Sequence, residues 1–270
     1  MTSLRFDAHA AQRVEALYLT PDVIEQRREV LRLLDLSPGE SVLDIGTGPG
    51  LLAVEMAAVV GPTGRVSGAD PSDDMLALAR GREVPVGSAP IQYDRGSAER
   101  LPYPDASFDV AVSTQVLEYV VDLPAALAQL YRVLRPGGRV LVVDTDWDSI
   151  VWHSGDTARM ERVLLAWEQH LADPRLPRTL TGALRRAGLK SSTPRVLPLL
   201  NAGFDPATFS AGLMQIISAF VTGRDELTGD EVQDWAADLA SLGPDYFFSL
   251  NRYAFLATKP QQAMVPPTRA

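Results

Sequence analysis

The sequence predicts an α/β fold organised as a doubly wound parallel sheet. Residues 41–50 run from a β-type apolar segment into a loop with three glycines on alternate positions, and an apolar helical run begins at Leu51. A strand that ends in a tight glycine turn and opens a helix is the ligand-binding corner of such a sheet. Residues 65–70 indicate a second strand that ends in Asp70, and residues 108–113 indicate a buried strand.

The composition is that of an ordinary globular protein and excludes several kinds of function. With 46% apolar and 22% charged residues, the 270-residue chain has enough material for one large domain, or for a domain with a substantial insertion. A formal charge of -9 argues against a nucleic-acid partner, because no basic patch is available to displace counterions from phosphates. The chain has no cysteines, which excludes disulfides, thiolate metal sites and cysteine nucleophiles.

No stretch of the sequence has the pattern of export or of membrane insertion. The first residues lack the apolar core of a secretory signal. The longest apolar stretch, residues 51–60, is interrupted by Glu55 and is too short to span a bilayer. We therefore expect a cytoplasmic protein that does not associate with membranes.

Residues 1–36 are predicted to form an N-terminal helical cap. Val14 and Tyr18 share helical spacing, and a second helix is expected to begin at Pro21. The pattern favours two helices packed against an edge of the sheet. Residues 37–40 form a turn before the first strand.

The three glycines of the loop suit a bound ligand. Gly46, Gly48 and Gly50 allow a ligand to approach the backbone where a Cβ atom would collide. The start of the following helix offers unpaired N–H groups to an anionic group such as a carboxylate. A dinucleotide fingerprint would need its third glycine at Leu51, so a nicotinamide or flavin cofactor is disfavoured.

Asp70 stands at the end of the second predicted strand, 20 positions after Gly50. A carboxylate at this strand end is where an adenosine ribose would offer its two hydroxyls, and a charged acceptor makes those hydrogen bonds strong. The alternative is that Asp70 only caps the helix predicted for residues 71–80. The spacing from the glycine loop favours the ligand role. Met75 would pack against a purine face or belong to the core.

Several stretches carry a family resemblance. They are residues 44–50 (DIGTGPG), 69–72 (ADPS), 96–109 (GSAERLPYPDASFD), 117–120 (LEYV) and 132–138 (RVLRPGG). The first resembles motif I of class I S-adenosylmethionine-dependent methyltransferases, and the third is similar to a run found in small-molecule methyltransferases of the ubiquinone and menaquinone type. The resemblance covers about residues 40–145. It implies a Rossmann-like, seven-stranded, doubly wound sheet with an antiparallel last strand.

The resemblance also implies S-adenosyl-L-methionine as the cofactor. It assigns cofactor contacts to Tyr18, Asp44, Gly46, Thr47, Gly48, Gly50, Asp70, Pro71, Met75, Ser97, Ala98, Glu99 and Gln115. Tyr18 belongs to an N-terminal segment that often folds over the cofactor in related enzymes, and Arg27 would also reach a carboxylate there. Ser97 departs from the family, which has at this position an aspartate for the adenine amino group. A hydroxyl is shorter and uncharged, although it can still accept that hydrogen bond.

Three residues are candidates for a role in catalysis. His153 follows the ligand edge of the fifth predicted strand, residues 140–143, and is the best placed histidine for a general base, with a surface or packing role as the alternative. Tyr119 stands where the family has a histidine, and its hydroxyl, with a pKa of about 10, would orient a substrate. Asp146 would anchor or deprotonate the acceptor.

No metal site is expected. The alternating aspartates of residues 144–148 suggest a calcium loop, but its sixth and twelfth positions hold Ser149 and Gly155 in place of the required glycine and glutamate. A magnesium site with two carboxylates has no further support in the sequence.

The second half of the chain matches the family less closely. Residues 200–243 are predicted to form a helical insertion between the last two strands, placed over the site as a lid. Residues 246–258 alternate as a long last strand. The cofactor-binding domain would then comprise residues 37–199 and 244–259, followed by a flexible tail at 260–270.

These features predict methyl transfer from S-adenosylmethionine to an oxygen, nitrogen or carbon of an apolar or aromatic small molecule, of the kind found in secondary metabolism. The aromatic residues of the second half suit such an acceptor, with an ordinary core role as the alternative. The alternative function is that of an S-adenosylmethionine-binding protein without methyl transfer, either a regulator or a non-methylating catalyst. The acceptor, the methylated atom and the oligomeric state stay open.

Overall fold

A computed structural model describes residues 8–261 of the chain. The first seven residues of the predicted cap and the predicted flexible tail from position 262 onward lie outside these residues. No helix within residues 8–261 combines the length and the apolar character needed to cross a membrane.

Helices and strands alternate along the described chain. In order they are α1 (Ala8–Tyr18), α2 (Pro21–Leu34), β1 (Ser41–Ile45), α3 (Leu51–Val60), β2 (Arg65–Asp70), α4 (Asp73–Arg80), β3 (Ile91–Arg95), β4 (Phe108–Thr114), α5 (Leu123–Val133), β5 (Leu134–Thr145), β6 (Val151–Trp152), α6 (Thr157–Glu168), α7 (Pro177–Arg186), β7 (Lys190–Ser191), β8 (Arg195–Ala202), α8 (Phe209–Val221), α9 (Gly229–Ser241) and β9 (Phe247–Thr258).

The strands form one mixed sheet, as predicted. Strands β3, β2, β1, β4 and β5 are parallel neighbours in that order, and β9 pairs antiparallel with β5. Strand β8 pairs antiparallel with the other edge of β9, while the two-residue strands β6 and β7 extend the pairing at the ends of β9. The predicted doubly wound sheet with an antiparallel last strand is confirmed.

The register of the parallel strands brings their carboxyl ends to one edge. Ile45 of β1 lies opposite Ala69 of β2 and Ser113 of β4. The residues that follow these strands therefore meet at the same edge, which is where open α/β sheets bind ligands. This register places the glycine loop between Asp70 on one side and Gln115 on the other.

Three clusters of buried apolar side chains pack the helices against the sheet. Helices α2 and α3 cover one face of the sheet, and α5 and α7 cover the other. A third cluster joins α6, α8 and α9 to the first half of β9, with Trp235, Phe209 and Phe248 among its fully buried side chains. Helices α8 and α9 lie between β8 and β9, within residues 200–243; α8 packs against α1, and both helices pack against α6.

Two glycines with a positive φ have different surroundings. Gly50 precedes α3 with φ +76°, and a Cβ atom there would lie 2.7 Å from the Tyr93 hydroxyl and 2.8 Å from the Ala79 Cβ. Gly203 follows β8 with φ +79°, and a Cβ atom there would meet open space.

We expect Gly50→Ala to destabilise the protein more than Gly203→Ala. Both substitutions place a side chain at a positive φ, which costs about 1–2 kcal/mol. Only Gly50→Ala also overpacks the contact of α3 with α4 and β3, which adds about 1–3 kcal/mol. Urea titration of the free energy of unfolding measures the difference, and equal losses in the two variants would contradict this account.

Candidate cofactor and acceptor cavity

A cavity of about 310 Å³ lies at the carboxyl edge of the sheet. Its walls come from α1, α2, the ends of β1, β2 and β4 with the loops after β1 to β4, the first turns of α3 and α4, and single residues of β5 and β9. Predicted cofactor residues that line it are Tyr18, Asp44, Gly46, Thr47, Gly48, Asp70, Pro71, Met75, Ser97, Ala98, Glu99 and Gln115. Gly50 does not line it. No residue of 200–243 lines it either, so the predicted lid position is not seen, and α1 and α2 close this side instead.

The glycine loop is held by hydrogen bonds to the neighbouring strand. The N–H groups of Gly46 and Thr47 both donate to the Ala69 carbonyl, at 2.7 and 3.0 Å. The Gly48 N–H donates to Asp70 Oδ2 at 2.9 Å. These three N–H groups are already used, so within residues 46–48 they are not available to a ligand carboxylate; the expectation of unpaired N–H groups concerned the start of α3 at Leu51 and is not tested by these bonds.

A side chain would meet different surroundings at the three glycine positions of the loop. A Cβ atom at Gly46 would lie 2.2 Å from a Val116 methyl group, and one at Gly50 would overlap Ala79. At Gly48 the nearest atom would be 4.0 Å away. Gly48 therefore presents bare backbone to the cavity, whereas packing inside the protein requires glycine at the other two positions.

Asp70 is fixed at the mouth of the loop. Its side chain is buried, with the residue 7% exposed, and its two oxygens accept N–H groups from Gly48 and from Ser72, the latter at 2.8 Å. Burial raises the pKa of Asp70, and the two N–H donors act in the opposite direction. Each carboxylate oxygen keeps a lone pair for a further donor. The helix cap of α4 is Ser72, whose hydroxyl accepts the Met75 N–H at 3.3 Å, so Asp70 is not the cap.

Asp44 lies beneath the loop and is 2% exposed. Its Oδ2 atom accepts the Thr47 hydroxyl at 2.8 Å. Burial raises the pKa of Asp44 to about 7, and the Asp70 charge adds to this rise against the effect of the Thr47 hydrogen bond. Asp44 is thus partly protonated near neutral pH.

Met75 and residues 96–99 line the cavity beside β2 and β3. Met75 is both buried and part of the cavity wall, so its predicted core and lining roles coincide. Ser97, Ala98 and Glu99 form the wall beside it, where Ser97 pairs through a single bridge with Arg100.

Gln115 follows β4 in a strained conformation. Its φ is +57°, in the left-handed region that side chains other than glycine rarely adopt. Its N–H donates to the Val143 carbonyl at 2.7 Å, and its Oε1 accepts the Thr145 hydroxyl at 2.6 Å. These two bonds fix Gln115 at the centre of the cavity wall.

Tyr18, Tyr119 and Arg27 also line the cavity. Burial raises the pKa of Tyr18, and burial followed by the Glu118 charge raises that of Tyr119 well above its ordinary value. Both hydroxyls therefore stay protonated at neutral pH and act as hydrogen-bond donors. Arg27 is held by Glu55 at 2.7 Å and by the Tyr18 carbonyl at 2.9 Å.

The other two catalytic candidates, His153 and Asp146, do not line the cavity. His153 is exposed beside β6, where its backbone N–H donates to the Phe247 carbonyl, so pairing with β9 holds this segment away from the cavity. Asp146 is buried in an ion pair with Arg178, with Oδ2 2.7 Å from Nε and Oδ1 2.9 Å from Nη2. The geometry does not support the prediction of a base at either position.

Among the cavity residues absent from the predicted set are two buried polar side chains. Gln26 of α2 and Arg252 of β9 are both buried, both line the cavity, and hydrogen bond to each other. A signal for Arg252 exists in the sequence, because it occupies the buried register of the alternating strand β9, in line with Leu250 and Ala254. Within the described part of the chain no cluster of three metal-ligating side chains occurs.

The fold and this site together define the class I S-adenosylmethionine-dependent methyltransferase domain. Residues 43–142 match the family described as "Methyltransferase domain". The resemblance noted in the sequence is thereby confirmed, and with it S-adenosylmethionine as the cofactor of the domain.

Comparisons with individual proteins agree with this family. An uncharacterised 37.1 kDa protein in transposon Tn4556 of Streptomyces fradiae is 36% identical over 184 residues, which are 67% of this chain and 52% of that protein. The ubiquinone/menaquinone biosynthesis C-methyltransferase UbiE of Ectopseudomonas mendocina is 42% identical over 119 residues, 44% of this chain and 46% of that one. The chain thus spans about half the length of these curated relatives.

The fold has close counterparts among solved structures. Phosphoethanolamine N-methyltransferase 2 of Haemonchus contortus, in complex with S-adenosyl-L-methionine, superposes with a TM-score of 0.60 at 19% identity. The match covers 94% of this chain and 58% of that chain. At this identity the likeness concerns the fold alone.

We expect Asp44→Asn to flatten the pH dependence of stability. The native state keeps the Asp44 proton up to about pH 7, while the unfolded chain releases it near pH 4. Wild-type stability therefore falls as pH rises through this window, by at most about 1.4 kcal/mol per pH unit from this group. Residue 44 of the variant cannot titrate, so the stability of the variant relative to wild type rises as the pH increases from about 4 to about 7.

Urea titrations at intervals from pH 4 to pH 7 measure this difference, with Asp74→Asn as the control. Asp74 lies exposed on α4 and should leave the wild-type slope in place. A wild-type slope in Asp44→Asn would contradict the assigned proton.

Proposed function

We propose that this protein transfers the methyl group of S-adenosylmethionine to an oxygen, nitrogen or carbon of a small molecule. The observation that carries the proposal is the pairing of the Gly48 N–H with the Asp70 carboxylate at the mouth of the cavity. Bare backbone beside a rigid carboxylate with spare lone pairs suits an adenosine ribose. The family match over residues 43–142 supports the same cofactor.

The residues around this pair suit the rest of the cofactor. Ser97, Ala98 and Glu99 would hold the adenine edge, and Met75 would pack against its face. Arg27, already oriented by Glu55, would supply a cation to the methionine carboxylate, since the N–H groups of residues 46–48 are taken.

Catalysis in this site would rest on positioning. The bound cofactor would supply an electrophilic methyl group with a thioether sulfur as its leaving group. An electron pair on the acceptor oxygen, nitrogen or carbon would form the new bond, and an acceptor that carries a proton on that atom would release it to bulk water once the product leaves. Gln115 and Tyr119 border the space beside that group. Fixing the acceptor on the reaction axis and excluding water lowers the barrier without a general base. Tyr119, as a neutral donor, would orient the acceptor.

Support for a small acceptor comes from the cavity and from the charge of the chain. Val23, Val120 and Val143 provide apolar walls, which suit an apolar or aromatic molecule. The formal charge of -9 disfavours a nucleic acid. The relative from Ectopseudomonas mendocina is named for quinone biosynthesis, and this supports an acceptor from small-molecule metabolism.

We expect Asp70→Ala to weaken binding of S-adenosylhomocysteine by about 10- to 100-fold, because two charge-assisted hydrogen bonds to the ribose are lost. Isothermal titration calorimetry measures the affinity, with Asp74→Ala on the exposed face of α4 as the matched control. Asp70→Asn should lose less, since the amide oxygen can still accept one hydrogen bond.

Transfer itself is tested with labelled S-adenosylmethionine and a panel of phenols, quinones, amines and carboxylic acids. Label in a product of wild type supports the proposal. Binding of S-adenosylhomocysteine without transfer to any member would favour a non-methylating protein. Binding of NAD in place of S-adenosylhomocysteine would overturn the proposal.

A further inference from the structure

Arg252 is a buried cation in the wall of the cavity. It lies on β9 opposite Thr145 of β5, and the residue is 6% exposed. One guanidinium nitrogen donates to the Gln26 side chain, and the guanidinium lies 5.0 Å from the centre of the Phe209 ring. The Nε atom has no hydrogen-bond partner among residues 10–261.

None of the described carboxylates forms an ion pair with this guanidinium. The nearby Asp22 accepts the Asn201 side chain and the Phe209 N–H, each at 2.9 Å. Glu118 accepts the Thr145 N–H at 3.1 Å. Burial lowers the pKa of Arg252, against the charges of Glu118 and Asp22. An arginine remains protonated in proteins, so a full positive charge stays buried without a contacting anion.

A buried charge of this kind is unfavourable unless it is paired or bound to a ligand. Arg252 borders the cavity, so a molecule held there would reach it. The carboxylates that line the cavity are Asp44 of β1, Asp70 of β2 and Glu99 of the loop after β3. The missing anion is therefore expected from the bound molecule.

The order of the strands places Arg252 on the acceptor side. From Asp70 on β2 the edge runs through β1, β4 and β5 to β9, four strand spacings or roughly 19 Å. With the ribose at Asp70 and the loop at β1, Gln115 at β4 marks the middle of this path. Arg252 lies beyond it, on the side away from the adenosyl group.

We propose that Arg252 binds a planar oxyanion of the methyl acceptor, and that the acceptor is a small carboxylic acid with an apolar body. This inference rests on the proposed function. The guanidinium fork matches the two oxygens of a carboxylate, and Val23, Val120 and Val143 offer apolar contacts for the remainder. Gln26 and Phe209 hold the guanidinium in place before the acceptor arrives.

The test compares acids with their amides, which have the same shape without the charge. Phenylacetate with phenylacetamide, and hexanoate with hexanamide, are titrated by calorimetry into wild type saturated with S-adenosylhomocysteine. We expect each acid to bind about 10-fold more tightly than its amide, or better. This comparison needs no variant, and equal binding of acids and amides would overturn the proposal.

Two variants test whether Arg252 causes the preference for acids over amides. Arg252→Met is expected to bind acid and amide equally and to keep wild-type affinity for S-adenosylhomocysteine, while Arg252→Gln serves if the methionine variant does not fold. Arg195→Met removes an exposed arginine on the adjacent strand β8 and should leave the acid preference unchanged. An acid preference that survives in the folded Arg252 variant would overturn the proposal.

Binding of the cofactor product is measured first in every protein. A loss of about 10-fold or more in S-adenosylhomocysteine affinity in Arg252→Met would assign the guanidinium to the cofactor carboxylate and overturn the acceptor role. Failure of wild type to bind S-adenosylhomocysteine would instead overturn the proposed function. The acid and amide titrations repeated without S-adenosylhomocysteine then report on Arg252 separately.

Discussion

The hydrogen bond from the Gly48 N–H to the Asp70 carboxylate is the contact on which the site depends. It joins the loop after β1 to the end of β2, and it exists because the parallel register sets Ile45 opposite Ala69. The Ser72 N–H holds the other oxygen of the same carboxylate. Both oxygens are thus oriented before any ligand arrives, which removes part of the ordering cost of binding.

The strand, the glycine loop and the position of Asp70 could be predicted from the sequence because their signals are local. Strand, glycine turn and helix follow one another within 20 residues, and Asp70 is fixed by its distance along the chain from Gly50. The individual roles of the glycines were not predictable. A glycine reveals that a Cβ atom is excluded, but not whether a ligand, Val116 or Ala79 excludes it. Only the packed structure assigns Gly48 to the cavity and Gly50 to the contact between helices.

Long-range packing decided the features that the sequence did not predict. The sequence predicted helices within residues 200–243 but placed them over the site. In the structure α8 packs against α1 and α6, and it does not line the cavity. His153 follows soon after β5 in the chain, yet the pairing of β6 with β9 holds it outside the cavity. Arg252 is more than 180 residues from Asp70, and only the sheet order brings both to one cavity.

A crystal structure of the protein with S-adenosylhomocysteine tests the central claim most directly. The account predicts that the ribose hydroxyls lie within hydrogen-bond distance of the Asp70 carboxylate, with the backbone of Gly48 in contact with the ligand. The acceptor space beyond Gln115 should then still border Arg252. A ligand bound away from Asp70, or a ribose with no hydrogen bond to its carboxylate, would contradict it.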